Sequence, residues 1–337
     1  MDKPTKSPIK NIITIAVSLV FAGFFLWLAL KGLDFNIIKA SLSKANYLWV
    51  AFAAVFGLGA YWFRAIRWNL MLEPMGHQIS NANSLWSISF GYLMNLTIPR
   101  SGEVARATAL YGVEKVPVDK SFGTIIIERV VDLVCMIAFL GLTLIFKFEA
   151  ISSFYTQSGI TFNPTKIFLV LGALVAAGIL FLVFRNKLLD VPVLGKIVGF
   201  INGIISGLTS IFHMKEKVKF IIYTVAIWVC YYFAAYLVCF ALPETSDLGF
   251  ADGFFILVVG TLGMIIPASC GVGAFNLAMK FGFMALFVSM GKDATIGGEV
   301  GLIYSFISLP LQICIMLGMG LISIPMLAKA RAKVVAS

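Results

Sequence analysis

Six stretches of the chain stay apolar long enough to cross the roughly 30 Å of bilayer hydrocarbon as a helix, which takes about 20 residues. They are residues 11–30, 47–64, 121–146, 167–184, 220–242 and 297–327. Two further apolar regions are interrupted in the middle. Residues 84–113 break at Pro99-Arg100-Ser101-Gly102, and residues 254–289 break at Pro267-Ala268-Ser269-Cys270-Gly271. A helix does not run through proline in the ordinary way, so each region is expected to fold back as two arms. The first arm of 84–113 has only about 16 residues, which favours a re-entrant hairpin over a pair of spans. The arms of 254–289 are longer, so a hairpin and two full spans both stay open there.

Lysine and arginine orient the spans, because cytoplasmic loops carry the positive excess. The N-terminal tail (Lys3, Lys6, Lys10), the segment 185–219 and the C-terminal tail (Lys329, Arg331, Lys333) are expected to be cytoplasmic. The run 11–30 behind that first tail is too long for a signal peptide and is read as a retained anchor. Counting spans from these loops makes 84–113 enter and leave on the cytoplasmic side, and 254–289 on the outer side. On this map the cytoplasmic segments hold 18 of the 26 Lys and Arg and 7 of the 16 acids, a net of +11, against +1 outside. Residues 188–214 carry apolar side chains at helical spacing with small and polar residues between, so this connector is expected to lie along the cytoplasmic surface or under the bundle.

The two halves then match, each with two spans, a broken region and a third span, inserted from opposite sides. TIPRSGEVARA (97–107) echoes IIPASCGVGAFNLA (265–278), and TIIIE (124–128) echoes TIGGE (295–299). The expected fold class is an all-α integral membrane protein with an inverted-topology repeat. It has about six full spans plus two re-entrant broken-helix hairpins (or eight spans), with a cytoplasmic interfacial helix. Repeat one covers 11–146 and repeat two 167–327 of a single transmembrane domain. Broken helices meeting near the midplane are a design of secondary transporters.

Composition agrees, with 60% hydrophobic and 12% charged residues. The five cysteines lie in apolar surroundings without C-x-x-C spacing, and His77 and His213 are far apart in the chain. Neither pattern suits a disulfide framework or a metal site, and no cofactor is expected. The net charge of +10 fits orientation and acidic headgroups better than nucleic acid.

The candidate chemistry is ionic. Glu128, Arg129 and Asp132 sit inside a span, where each charge costs about 2.5–3.5 kcal/mol on insertion scales. An Arg–carboxylate pair with one carboxylate left over would allow proton coupling. Alternatively Arg129 holds an anionic substrate, or the cluster is an ion network locking helices. At the first break, Ser101 is expected to cap a half-helix starting at Gly102, whose N-terminus favours phosphate. Arg100 and Arg106 add positive charge there, and Glu103 is expected to pair with either. Arg64 and Arg67, between Trp62 and Trp68, suit either surface anchoring or headgroup binding. Asn95 is a donor inside the first hairpin or a local cap, and Glu299 is a deep acid in the second half.

RAIRW (64–68), NLTIPRSGEVARA (95–107), IIIERVVDL (125–133) and IIPASCGVGAF (265–275) resemble the lysylphosphatidylglycerol synthase transmembrane-domain family. The resemblance covers nearly the whole chain. It implies lipid translocation across the cytoplasmic membrane, with the Arg, Glu and Asp positions above lining the route. The sequence ends at Ser337 without a soluble aminoacyl-transferase domain, so synthase activity is not carried over.

The expectation is therefore a flippase, not an enzyme, in a bacterial cytoplasmic membrane with both termini cytoplasmic. Its partners are membrane lipids with an anionic phosphate headgroup (a phospholipid, an aminoacylated phospholipid or a polyprenyl-phosphate carrier). No nucleic acid is expected, and an oligomer stays open. The competing readings are a lipid-modifying membrane enzyme, for which Glu128 and Asp132 are the sole acid pair, and a non-transporting accessory subunit.

Overall fold

The computed structural model describes residues 39, 42–98, 101–158, 214–265 and 271–336. The spans expected at 11–30 and 167–184, most of the 188–214 connector, the Pro99-Arg100 corner and the 266–270 break lie outside these residues. What is described is all-helical. The helices are α1 (Tyr47–Leu72), α2 (Asn81–Thr97), α3 (Gly102–Glu114), α4 (Val118–Phe146), α5 (Phe148–Ser158), α6 (Lys217–Cys239), α7 (Phe250–Ile265), α8 (Ala274–Ser289) and α9 (Ala294–Ala336).

Among the described residues, α1 with the turn that follows it, α4, α6 and α9 are long and apolar enough to cross a membrane. Their bounds differ from the expected spans at the ends. α1 continues to Leu72, eight residues past Arg64, because the arginines are taken into the bundle instead of ending at its surface. α4 begins at Val118, directly after Pro117, whose fixed φ suits a helix start.

The broken region 84–113 forms a hairpin of α2 and α3, of 17 and 13 residues. At 1.5 Å per residue these arms are roughly 25 and 20 Å long, short of a full crossing. Their open ends are tied together: the Glu114 carboxylate accepts from the Ser80 backbone N–H at 3.1 Å and from Asn83 Nδ2 at 2.8 Å. Near the tip the backbones nearly touch. A Cβ on Gly91 would lie 2.7 Å from the Gly102 carbonyl oxygen, so only glycine permits this approach.

The second broken region pairs α7 with α8, 16 residues each. Its open end lies at the opposite end of the bundle from that of the first hairpin. There Lys292 bridges to Asp247 at 2.5 Å, and Asn46, before α1, donates its N–H to Ala241 beyond α6 at 2.8 Å. Lys147, at the end of α4, reaches Asp252 at the start of α7 at 2.6 Å.

The helix neighbours follow a reciprocal pattern. α1 lies along α6; α9 packs on α8 and crosses α2; α4 packs on α3 and crosses α7. Exchanging α1–α4 for α6–α9 preserves these contacts. Each hairpin also has its own apolar core. Trp68, Met71, Ile88, Leu110 and Ile127 pack around the first, and Phe255, Met279, Phe283, Tyr304 and Ile307 around the second. α9 bears on both hairpins. Gly297 and Gly301 let it lie against α8, where a Cβ on Gly297 would be 2.6 Å from the Phe283 carbonyl. Further along, Gly320 sits against Leu93 of α2.

Candidate functional site

Three helix faces converge at the first hairpin. On α1, Arg64 and Arg67 are three apart; on α4, Glu128 and Asp132 are four apart; each pair therefore shares a face. α3 brings Arg106 between them. Arg64 and Arg67 both donate to Asp132, through Nη2 to Oδ2 at 2.9 Å and to Oδ1 at 3.0 Å. Arg64 Nη1 also donates to the Tyr92 hydroxyl at 2.6 Å, and Arg67 Nη1 lies 3.4 Å from Thr224 Oγ1 on α6. Arg106 grips Glu128 with both terminal nitrogens, at 2.6 and 3.2 Å. Its guanidinium lies 3.6 Å above the Trp68 ring, whose Nε1 donates to Thr124 at 2.8 Å. Arg67, Glu128 and Trp68 have no exposed surface.

This geometry corrects the expectation for Arg64 and Arg67. They do not snorkel to an aromatic belt, because a carboxylate inside the bundle gives them charge-assisted hydrogen bonds that a surface position would lack. No carboxylate of the α4 cluster is left over either, since Glu128 and Asp132 are each held by arginines from other helices. Among the described residues the surplus is a cation. Arg64, Arg67, Arg106 and Arg129 face Glu103, Glu128 and Asp132, four positive groups against three negative. Arg129 is the loosest member: its side chain is 47% exposed and lies 3.5 Å from Glu103 and 3.7 Å from Asp132. Glu103 therefore faces Arg129, and not Arg106, which Glu128 occupies.

At the hairpin tip Ser101 does not cap α3. Its hydroxyl turns back to the end of α2, within donating distance of the Ile98 carbonyl at 2.7 Å and the Met94 carbonyl at 3.0 Å. Asn95 takes the capping role, its Oδ1 accepting from the Gly102 N–H at 2.7 Å. Arg100 lies outside the described residues. Ile88, Gly91, Tyr92, Asn95, Gly102, Glu103, Arg106 and Arg129 line a small recess here, about 10 Å³ in volume. That is roughly the space one water needs. The Nε–H groups of Arg64, Arg67 and Arg106 are buried without an acceptor among the described residues, so the cluster has donors to spare.

Glu299 is apart from this cluster. It lies early in α9, where that helix packs on α8, and joins no ion pair among the described residues. Sequence reasoning missed Tyr92, Thr224 and Tyr231, whose ring centroid lies 5.7 Å from the Arg64 guanidinium. Tyr92 lies three residues before Asn95 on one helical face, and Thr224 and Tyr231 are seven apart on α6. Those spacings were the available signal. Lys280 is a charge within the apolar helix α8, its side chain beside Gly298 of α9.

Comparison with known families agrees with the resemblance drawn from the motifs. The family model described as lysylphosphatidylglycerol synthase TM region matches residues 13–315, and the chain belongs to that family. Among curated proteins none matches it. With its long apolar helices, it is a multi-pass membrane protein tied to lipid metabolism.

Proposed function

We propose that this member of the lysylphosphatidylglycerol synthase transmembrane-region family is a flippase that moves an anionic lipid across the bacterial cytoplasmic membrane. The observation that carries the reading is the surplus cation: Arg129, half-exposed, borders a recess whose other walls include Arg106, Asn95 and Tyr92. A phosphate brings the negative charge and acceptor oxygens that this donor-rich cluster lacks. The recess is too small for a headgroup, so the hairpin tip has to separate from α4 to admit one.

The reciprocal helix packing, with the hairpins opening at opposite ends, supports an inverted repeat working by alternating access. Arms shorter than the hydrocarbon thickness favour re-entrant hairpins over further spans. The positive-inside count supports a cytoplasmic location for both termini and for the open end of the first hairpin. We read the protein as a carrier and not an enzyme because the acid pair Glu128 and Asp132 is committed to arginines. One feature favours a second reading, a non-transporting subunit in which the network only locks helices. The Arg106–Glu128 pair, stacked on Trp68, is a rigid buried joint.

Proteoliposomes carrying a labelled anionic phospholipid separate the two. The wild-type protein is expected to speed lipid exchange between leaflets, and Arg129→Ala to reduce that rate by about tenfold, the loss of one charge-assisted contact. Equal rates for wild type, Arg129→Ala and empty liposomes would leave the locking role standing.

A further inference from the structure

We infer that Glu103 is a built-in competitor for the headgroup: it holds Arg129 while the site is empty and gives it up when a phosphate arrives. This rests on the lipid-binding reading above and adds the means by which the site limits its excess charge between cycles. The evidence is a contrast within one network. The Arg106–Glu128, Arg64–Asp132 and Arg67–Asp132 contacts are 2.6–3.0 Å long and shielded from solvent. The Glu103–Arg129 contact is 3.5 Å, between side chains 33% and 47% exposed. Such a pair contributes little and is readily exchanged.

Glu103 also has somewhere to go. It is the second residue of α3, in the first turn, where the positive end of the helix stabilises a carboxylate that has left its partner. Arg129 cannot follow it, being on α4. An incoming phosphate monoanion therefore replaces one carboxylate at the guanidinium. The cluster, one positive charge in excess with Glu103 in place, becomes neutral when the phosphate is added. Without Glu103, Arg129 would have no carboxylate of its own to compete with the phosphate, and the recess would instead retain its ligand and slow release. Glu103 thus sets how tightly the site holds its substrate, and so which leaflet concentration empties it.

The test uses the full chain in nanodiscs of zwitterionic lipid, titrated with short-chain phosphatidylglycerol and, separately, with inorganic phosphate. Glu103→Gln keeps the shape and removes the competing charge, so it is expected to tighten phosphatidylglycerol binding by about threefold to fivefold, the worth of an exposed ion pair. Glu103→Asp should bind like wild type, and Glu103→Gln/Arg129→Gln should lose the gain. The same gain for inorganic phosphate would show that the phosphate alone is recognised; a gain for lipid only would show that the glycerol or acyl part is needed. Melting curves confirm that each variant is folded. Wild-type binding that Glu103→Gln leaves unchanged or weakens overturns the inference and spares the lipid reading. Absence of binding by wild type and Glu103→Gln alike overturns both.

Discussion

The two hairpins occupy corresponding places in the bundle but are held by different forces. The first is fastened by arginines and carboxylates from three helices, with Glu128 wholly enclosed. The second rests on apolar packing around Phe283 and Tyr304, with Asn276 at its heart: its Oδ1 accepts from the Gly273 N–H at 3.0 Å, and its Nδ2 donates to Ser305 on α9 at 2.7 Å. Its described ion pairs lie toward its open end: Lys147–Asp252 is largely enclosed and Lys292–Asp247 is exposed. An enclosed ion pair is directional and is either made or broken at high cost, whereas apolar packing is spread over many weak contacts. The first hairpin is thus held in one geometry until that pair is broken, and the second by contacts that no single pair dominates.

The sharpest way to break this contrast is to remove one partner of the buried pair. Glu128→Ala leaves the Arg106 charge enclosed and unmatched, and is expected to cost about 3–5 kcal/mol, visible as loss of folded protein in a detergent melting scan. Asn276→Ala, the matching lesion in the second hairpin, takes the acceptor from the Gly273 N–H and a donor from the Ser305 hydroxyl, which still donates to Leu302. It should cost less, about 1–3 kcal/mol by the same scan. Equal losses from the two substitutions would erase the distinction.

The smallest effect is at the rim. Lys292 donates to Asp247 in the loop before α7 and lowers its carboxyl pKa below the usual value. Because the folded pKa is the lower one, the pair's contribution is full above the unfolded pKa of an aspartate. It is lost as pH falls through the folded value. Both side chains are well exposed, so the amount should be under about 1 kcal/mol. Asp247→Asn should remove that acid-side drop and leave the melting temperature near neutral pH almost unchanged.

The helices and the two breaks were legible because apolar periodicity and proline are local signals. So was the embedded charge, since Glu128, Arg129 and Asp132 stand out against their neighbours. Their partners were not. Arg64 meets Asp132 across 68 residues of chain, and no local pattern says that an arginine beside tryptophans will turn inward. Neighbouring Arg129 was the obvious partner for the α4 acids, yet a helix places adjacent residues on different faces, which left it at the edge of the cluster. At the tip, Ser101 is a good cap by residue type. The choice of Asn95 depends on how closely α2 approaches α3, which Gly91 sets from eleven residues away.

Helix α9, 43 residues long, touches the second hairpin through Gly297 and Gly301 and the first through Gly320. A continuous helix resists compression along its axis, so it behaves as a push-rod seated in both working parts. Pro310 lies between the two seats, where a missing backbone hydrogen bond makes bending easiest. Whatever displaces one hairpin is therefore felt at the other, either as a shift of the rod or as a flex at that proline.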